Sequence, residues 1–222
     1  MLDAETLAHA AIAYPILLFS LTFHEWGHAM SAKLLGDRTA ELQGRLTMNP
    51  ISHIDPIGTV LFPLIAMLQP GLARFIIGWA KPVPVNPLNL RKSTDMVWVA
   101  LAGPACNLIL VLLGVLVFKV LLVFDLLPAG ERNAEMAVTA FLTFIGINLI
   151  LIWFNLIPLP PLDGSKVLLA HVKGHWRSFP FWQAYEAYGQ FVLLILFLSG
   201  GLSLILRHPM IWSYDVILRF LF

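Results

Sequence analysis

Hydrophobic and polar positions divide the chain into five apolar stretches joined by polar, breaker-rich connections. Stretch A covers residues 6–35, C covers 94–124, D covers 135–156 and E covers 185–206. Each reaches the ~20 residues a helix needs to cross a hydrocarbon core, so about four transmembrane helices are expected. Stretch B, residues 57–80, is interrupted by Gln69-Pro70-Gly71 and by Arg74. Its uninterrupted part, 57–68, has the length of a re-entrant or short interfacial segment. The connections carry their own signals. Residues 81–89 read KPVPVNPLN and are expected to be extended, because each proline restrains its own backbone and that of the residue before it. Residues 39–48 read TAELQGRLTM, and their partial alternation suits either a strand edge open to an extended peptide or a plain connecting loop. The tail after Arg207 mixes Ile211, Trp212, Tyr214, Ile217, Leu218 and Phe220 with Asp215 and Arg219, as in an interfacial amphipathic helix.

Composition sharpens this to an all-α polytopic membrane protein of one domain, residues 1–222. The chain is 59% hydrophobic and 12% charged, about half the charged fraction of a soluble protein, with a mean hydropathy of +0.81. A net charge of +1 offers no basic surface for nucleic acid. Cys106 is the single cysteine, which rules out an internal disulfide and a cysteine-based zinc site. Residues 1–5 lack a basic segment, so the first helix is expected to insert and stay.

Within stretch A, residues 24–28 read HEWGH. His24 and His28 are one helical turn apart on one face, where two imidazoles can reach a single Zn²⁺. Glu25, beside the first of them, can take a proton from an attacking water and return it to a leaving amine. In a soluble helix this pattern can be surface decoration. Inside a membrane-spanning helix, three ionisable side chains are costly and mark a functional site. A catalytic zinc takes a third protein ligand. Asp163 is the candidate, at the end of NLIPLPPLDG, residues 155–164, although an Asp-Gly turn at a helix exit has the same sequence. Gly164 allows a tight turn beside it.

The HEWGH segment, the NLIPLPPLDG segment and the small-residue start of stretch C, Gly103-Pro104-Ala105-Cys106-Asn107, occur in this order. Together they resemble the site-2 proteases, zinc metalloproteases of regulated intramembrane proteolysis. The likeness runs from stretch A to about residue 170, and it implies a small β-hairpin-like loop over residues 39–48, after the first helix. It implies His24, His28 and Asp163 as ligands of one Zn²⁺, Glu25 as general base, and Asn155 as a donor to the scissile carbonyl or its oxyanion. It also implies a place near the substrate for Asn107, whose other reading is an interhelical hydrogen bond. The partners implied are a transmembrane protein substrate and the lipid bilayer. A rival reading is a catalytically silent membrane metal-binding or transport protein. That reading predicts several metal sites along a path, whereas the sequence offers one cluster with a base beside it. His53 and Asp55, near the entry of stretch B, could each support a metal ligand, but a loop histidine is more often solvated, and both are left out of the site.

A common zinc requires His24, His28 and Asp163 at one depth, so stretches A and D must point to the same face. Lys33, Arg38, Arg45, Arg74, Lys81, Arg91, Lys92, Lys166, Lys173 and Arg177 then share that face, against Lys119, Arg132, Arg207 and Arg219 on the other. The excess of basic residues makes the site's face cytoplasmic. The expected location is an integral protein of a bacterial cytoplasmic membrane, its active site toward the cytoplasm and stretch B re-entrant.

Overall fold

The computed structural model describes residues 4–61, 63, 78–127, 130–172 and 179–222. Its elements are helices α1 (Ala4–Leu34), α2 (Thr39–Leu42), α3 (Asp95–Val123), α4 (Glu131–Asn155), α5 (Asp163–His171), α6 (Pro180–Leu198) and α7 (Gly201–Leu221), with short helical turns at Pro50–His53, Pro56–Leu61 and Pro87–Asn89. Three helical stretches, Leu7–Leu34, Asp95–Val123 and Arg132–Asn155, are long and apolar enough to cross a membrane, and a bent pair, α6 with α7, makes a possible fourth.

The three long helices form the frame of the site. Helices α1 and α3 run antiparallel: His24 meets Asn107, and four residues further along α1 His28 meets Val99. Their backbones approach closely because small residues face each other. A Cβ on Gly27 would stand 2.6 Å from the Cys106 sulfur and 2.8 Å from the Ala102 carbonyl oxygen. In lipid, where water drives no helix association, such close contact is a main source of cohesion. Helices α3 and α4 are also antiparallel, with Phe118 stacked on Phe141 and Asn107 bonded to Asn148. Helix α4 is thereby parallel to α1, and both end on the site's face. Val111, Val115, Phe118, Ile145, Leu149 and Ile152 fill the α3–α4 seam, joined by Leu221 of α7.

The C-terminal region departs from expectation. Stretch E is not one helix over 185–206. Helix α6 stops at Leu198, Gly200 takes a left-handed conformation (φ +77°), and α7 leaves at 79°. The tail, expected as an amphipathic segment, forms α7 and packs against α4. Trp153 donates its indole N–H to Ser213, Tyr214 lies against Gly146, and the Lys119 ammonium donates to the carbonyls of Phe220 and Leu221. A cation on the last carbonyls of a helix opposes the negative end of its dipole. Helix α6 meets the prolines of the 158–161 turn, through Tyr185 to the Pro158 carbonyl and Gly189 against Pro160.

The hairpin-like loop expected at 39–48 is likewise absent, and no strand occurs among the described residues. Residues Thr39–Leu42 form one helical turn. Asp37 accepts from the Thr39 N–H and hydroxyl, and this local cap outcompetes the weak alternation that suggested strands. Most of stretch B, residues 62 and 64–77, lies outside the described residues, and with it the path that stretch takes. Its flanks are described, and they meet beside α1. Thr59 donates its hydroxyl to the Trp79 carbonyl at 3.1 Å, the Tyr14 hydroxyl donates to the Thr59 carbonyl, and the Lys81 N–H donates to the His53 carbonyl. His53, read from sequence as solvated, is 2% exposed, with Nε2 bonded to the Thr47 carbonyl.

Residues 78–90 run as a strap across the C-terminal half of α1, extended as expected only as far as Asn86; at 87–89 the extended chain gives way to a helical turn, because the Asn86 side chain accepts the Leu88 N–H and Pro87 suits a first helical position. Ala80, Val83 and Leu90 each enter a cluster with α1 residues: Leu17 and Leu21, Ala29, and Ala32 respectively. At its far end the strap is held by Asp37, which accepts from the Asn86 N–H and the Asn89 side-chain amide. Burial pushes the Asp37 carboxyl up, but hydrogen bonds from Thr39, Asn89 and Asn86 outweigh it and hold the group below the usual carboxylate range.

Candidate metal centre

His24 lies about ten residues, or ~15 Å, before the end of α1, well inside the window long enough to span a membrane. Both histidines are buried, at 3% and 6% exposure. Each ring has its Nδ1 committed. His28 Nδ1 lies 2.7 Å from the Val99 carbonyl oxygen, which can only accept, so that nitrogen carries the proton. His24 Nδ1 lies 2.6 Å from Asn107 Oδ1. The orientation of that amide is fixed by its other end, where Asn107 Nδ2 donates to the Ser20 carbonyl and to Asn148 Oδ1. Asn148 is fixed in turn by donating to the Phe144 carbonyl and the Ser20 hydroxyl. Two main-chain carbonyls thus set the direction of the whole network, and His24 Nδ1 is also protonated.

Both Nε2 atoms consequently present lone pairs, and they face each other at 3.0 Å. The third group is Asp163, on the first turn of α5 and 4% exposed. Its Oδ1 accepts from Lys166 at 2.9 Å. Its Oδ2 is buried with no hydrogen-bond partner, 3.3 Å from His24 Nε2 and 3.1 Å from His28 Nε2. Three acceptor atoms without a proton between them repel unless a cation sits among them. Their separations match the ~3.3 Å edge of a tetrahedron with metal–ligand bonds of about 2.0–2.1 Å. The donor set therefore fits zinc on chemistry and on spacing. The loop carrying Asp163 closes onto α4 because residue 164 is glycine; a Cβ there would run into the carbonyls of Leu156 and Ile157.

Gly103 forms the floor of the site. A Cβ added there would fall onto the His24 and His28 imidazoles, so α3 leaves a hollow where the two ligands converge. Glu25 is 9% exposed. Its ligand atom lies within 4.8 Å of those of the two histidines, while Oε2 accepts the Val83 N–H of the strap at 2.8 Å.

The other candidates sit differently. Asn107 is fully buried and its amide is spent on His24, Ser20 and Asn148, so it opens onto no substrate surface. Asn155 is half-buried, at the end of α4, and donates one amide hydrogen to the Leu151 carbonyl. Asn148 and Ser20 are part of the network and are missing from the sequence reading. An Asn in the middle of an apolar helix was the available signal. Replacing Asn107 by Leu is expected to leave the helices packed and to weaken zinc binding by about 10–100-fold, as for other groups that orient a metal's ligands. Titration with a fluorescent chelator measures this, and wild-type affinity in the variant would refute it.

The sequence model of Peptidase family M50 matches residues 120–199, which include the Asn155–Asp163 region. The chain is 38% identical over 206 residues to a Bacillus subtilis protein named "Putative zinc metalloprotease YwhC", covering 91% of this chain and 87% of that one. It is 29% identical over 223 residues to "Putative zinc metalloprotease Rip2" of Mycobacterium tuberculosis, covering 96% and 77% respectively. The protein of the same name from Mycolicibacterium smegmatis is 27% identical over 199 residues, covering 89% and 71%. No solved structure gives a significant match. With a converging pair of histidines and a carboxylate that fit zinc, and with such relatives along nearly its whole length, the chain belongs to peptidase family M50 and is a zinc metalloprotease of the membrane.

Proposed function

We propose that this metalloprotease cleaves peptide bonds within or next to transmembrane segments of other membrane proteins, the step that defines regulated intramembrane proteolysis. The observation that carries this reading is depth. Two imidazole acceptors and Glu25, carried well inside a helix long and apolar enough to cross the bilayer, are met there by the orphaned carboxylate oxygen of Asp163. His24, His28 and Asp163 would hold Zn²⁺, which when bound supplies Lewis acidity to the scissile carbonyl. Glu25 takes the proton of the attacking water and delivers it to the departing amine. Asn155 has a second amide hydrogen to offer the substrate carbonyl.

The site faces the cytoplasm, on the excess of basic residues at that end. Purified protein in detergent, given a peptide containing one transmembrane segment, is expected to produce fragments whose new ends lie in or beside the apolar stretch, and none after chelation. Fragment masses decide the matter: cleavage confined to soluble regions would overturn the intramembrane reading. Cysteine labelling at position 45 from each side of the membrane tests the orientation.

A further inference from the structure

We infer that the strap, residues 78–90, is a positioning element for the Glu25 carboxylate, and that Asp37 is the residue that anchors it. The inference rests on Glu25 being the base, and it explains what holds that carboxylate in place. A carboxylate this deeply buried is costly unless donors meet it. Among the described residues, the donor that meets it is the main-chain N–H of Val83 at 2.8 Å.

The sequence of the strap suits that task. Pro82 and Pro84 flank Val83. They fix their own φ angles, bias the residue before each toward extended backbone and carry no N–H, so the chain around Val83 cannot turn into helix and spend that donor internally. The N–H groups at 81, 83 and 86 are each spent on the body of the protein. They donate to the His53 carbonyl at 2.9 Å, to Glu25 at 2.8 Å and to Asp37 Oδ2 at 2.7 Å. The first and third bracket the second and set its register. The Val83 side chain, 8% exposed among Ala29 and Ala40, fixes the height of the strap above α1. With one carboxylate oxygen tethered, the other remains for the proton transfer.

Asp37 lies twelve residues beyond Glu25, three past the end of α1. It touches no reacting atom and acts through Val83. Its two oxygens divide their work: Oδ1 takes Thr39 and Asn89, and Oδ2 takes the Asn86 N–H. Asp37→Asn keeps one acceptor for the α2 cap but turns an NH₂ toward the Asn86 N–H, so it breaks the strap contact selectively. Val83→Pro removes the donor itself while preserving an extended chain.

Three measurements test this: zinc content, kcat with KM on a transmembrane peptide, and amide hydrogen exchange of the strap. The expected result is a fall in kcat of about 100-fold for Val83→Pro and about 10-fold for Asp37→Asn, with zinc bound and KM within about twofold. A loss that appears in KM alone would make the strap a substrate-binding surface and overturn the proposal. So would wild-type kcat in zinc-loaded Val83→Pro. The exchange arm needs no catalysis. In zinc-free Glu25→Ala, the Val83 amide should exchange about 10-fold faster while the Asn86 amide is unchanged. Equal exchange at Val83 in variant and wild type refutes the tether even where Val83→Pro does not fold. Should Glu25→Gln retain cleavage, the assignment of the base fails, whereas the exchange arm still decides whether the strap holds that side chain.

Discussion

Glu25→Gln is expected to bind zinc at full stoichiometry and to cleave at a rate lower by on the order of 10²–10⁴-fold. The amide nearly preserves the size of the side chain, and its carbonyl oxygen can still accept the Val83 N–H that now meets Oε2. Glu25 is not among the three groups whose acceptor atoms lie within 3.3 Å of one another, so the metal centre is untouched. What is lost is basicity. An amide neither takes a proton from water near neutral pH nor hands one to the leaving nitrogen. Zinc analysis and single-turnover cleavage of a transmembrane peptide separate the two properties. A variant that keeps zinc and retains cleavage within a fewfold of wild type would remove Glu25 from the mechanism. One that loses both would show that it supports the metal.

Gly103→Ala is expected to abolish zinc binding in a protein that still folds, an effect as large as removing a ligand. In a helix interior this exchange ordinarily stabilises by roughly 0.8–1.0 kcal/mol. Here the new methyl group falls on His28 Nε2 and on His24 Cε1 and Nε2. Overpacking of this kind costs typically 1–3 kcal/mol, and the side chains that can give way are the two imidazoles. Their escape breaks the bonds from Nδ1 to Asn107 and Val99 and separates the Nε2 atoms. The zinc-free protein should show undiminished helical circular dichroism, with zinc content near zero. Full zinc occupancy in the variant would mean that α3 retreats from α1 more readily than their contact at Gly27 and Ala102 allows.

The parts of the site that a helix delivers are legible in the sequence. His24 and His28 are one turn apart, so once residues 6–35 are read as a helix, their convergence follows. Three long apolar runs define α1, α3 and α4 to within a few residues, because span length and periodicity are strong local signals. Asp163 is legible only through its pairing with the histidine segment, since Asp-Gly at a helix exit is common. What stays hidden depends on contacts between distant segments. The KPVPVN stretch is plainly extended, yet nothing local says that its Val83 N–H meets a carboxylate fifty-eight positions earlier. Asn148 reads as one polar residue in an apolar run until Asn107 and Ser20 are seen beside it. The break after Leu198 had a signal, Gly200-Gly201, masked by the hydrophobic residues on both sides. The helical turn at Thr39 overrode a weak alternation because Asp37, just outside the segment, supplies its cap.

The close seam between α1 and α3 has a consequence for traffic. Gly27 stands against Ala102 and Cys106, and Gly103 against both imidazoles, so there is no gap on that flank wide enough for a polypeptide. The amides of Asn107 and Asn148 also tie α1, α3 and α4 to one another beside the metal ligands. On the proposed function, a substrate segment is therefore not expected to part α1 from α3 on its way to the metal centre.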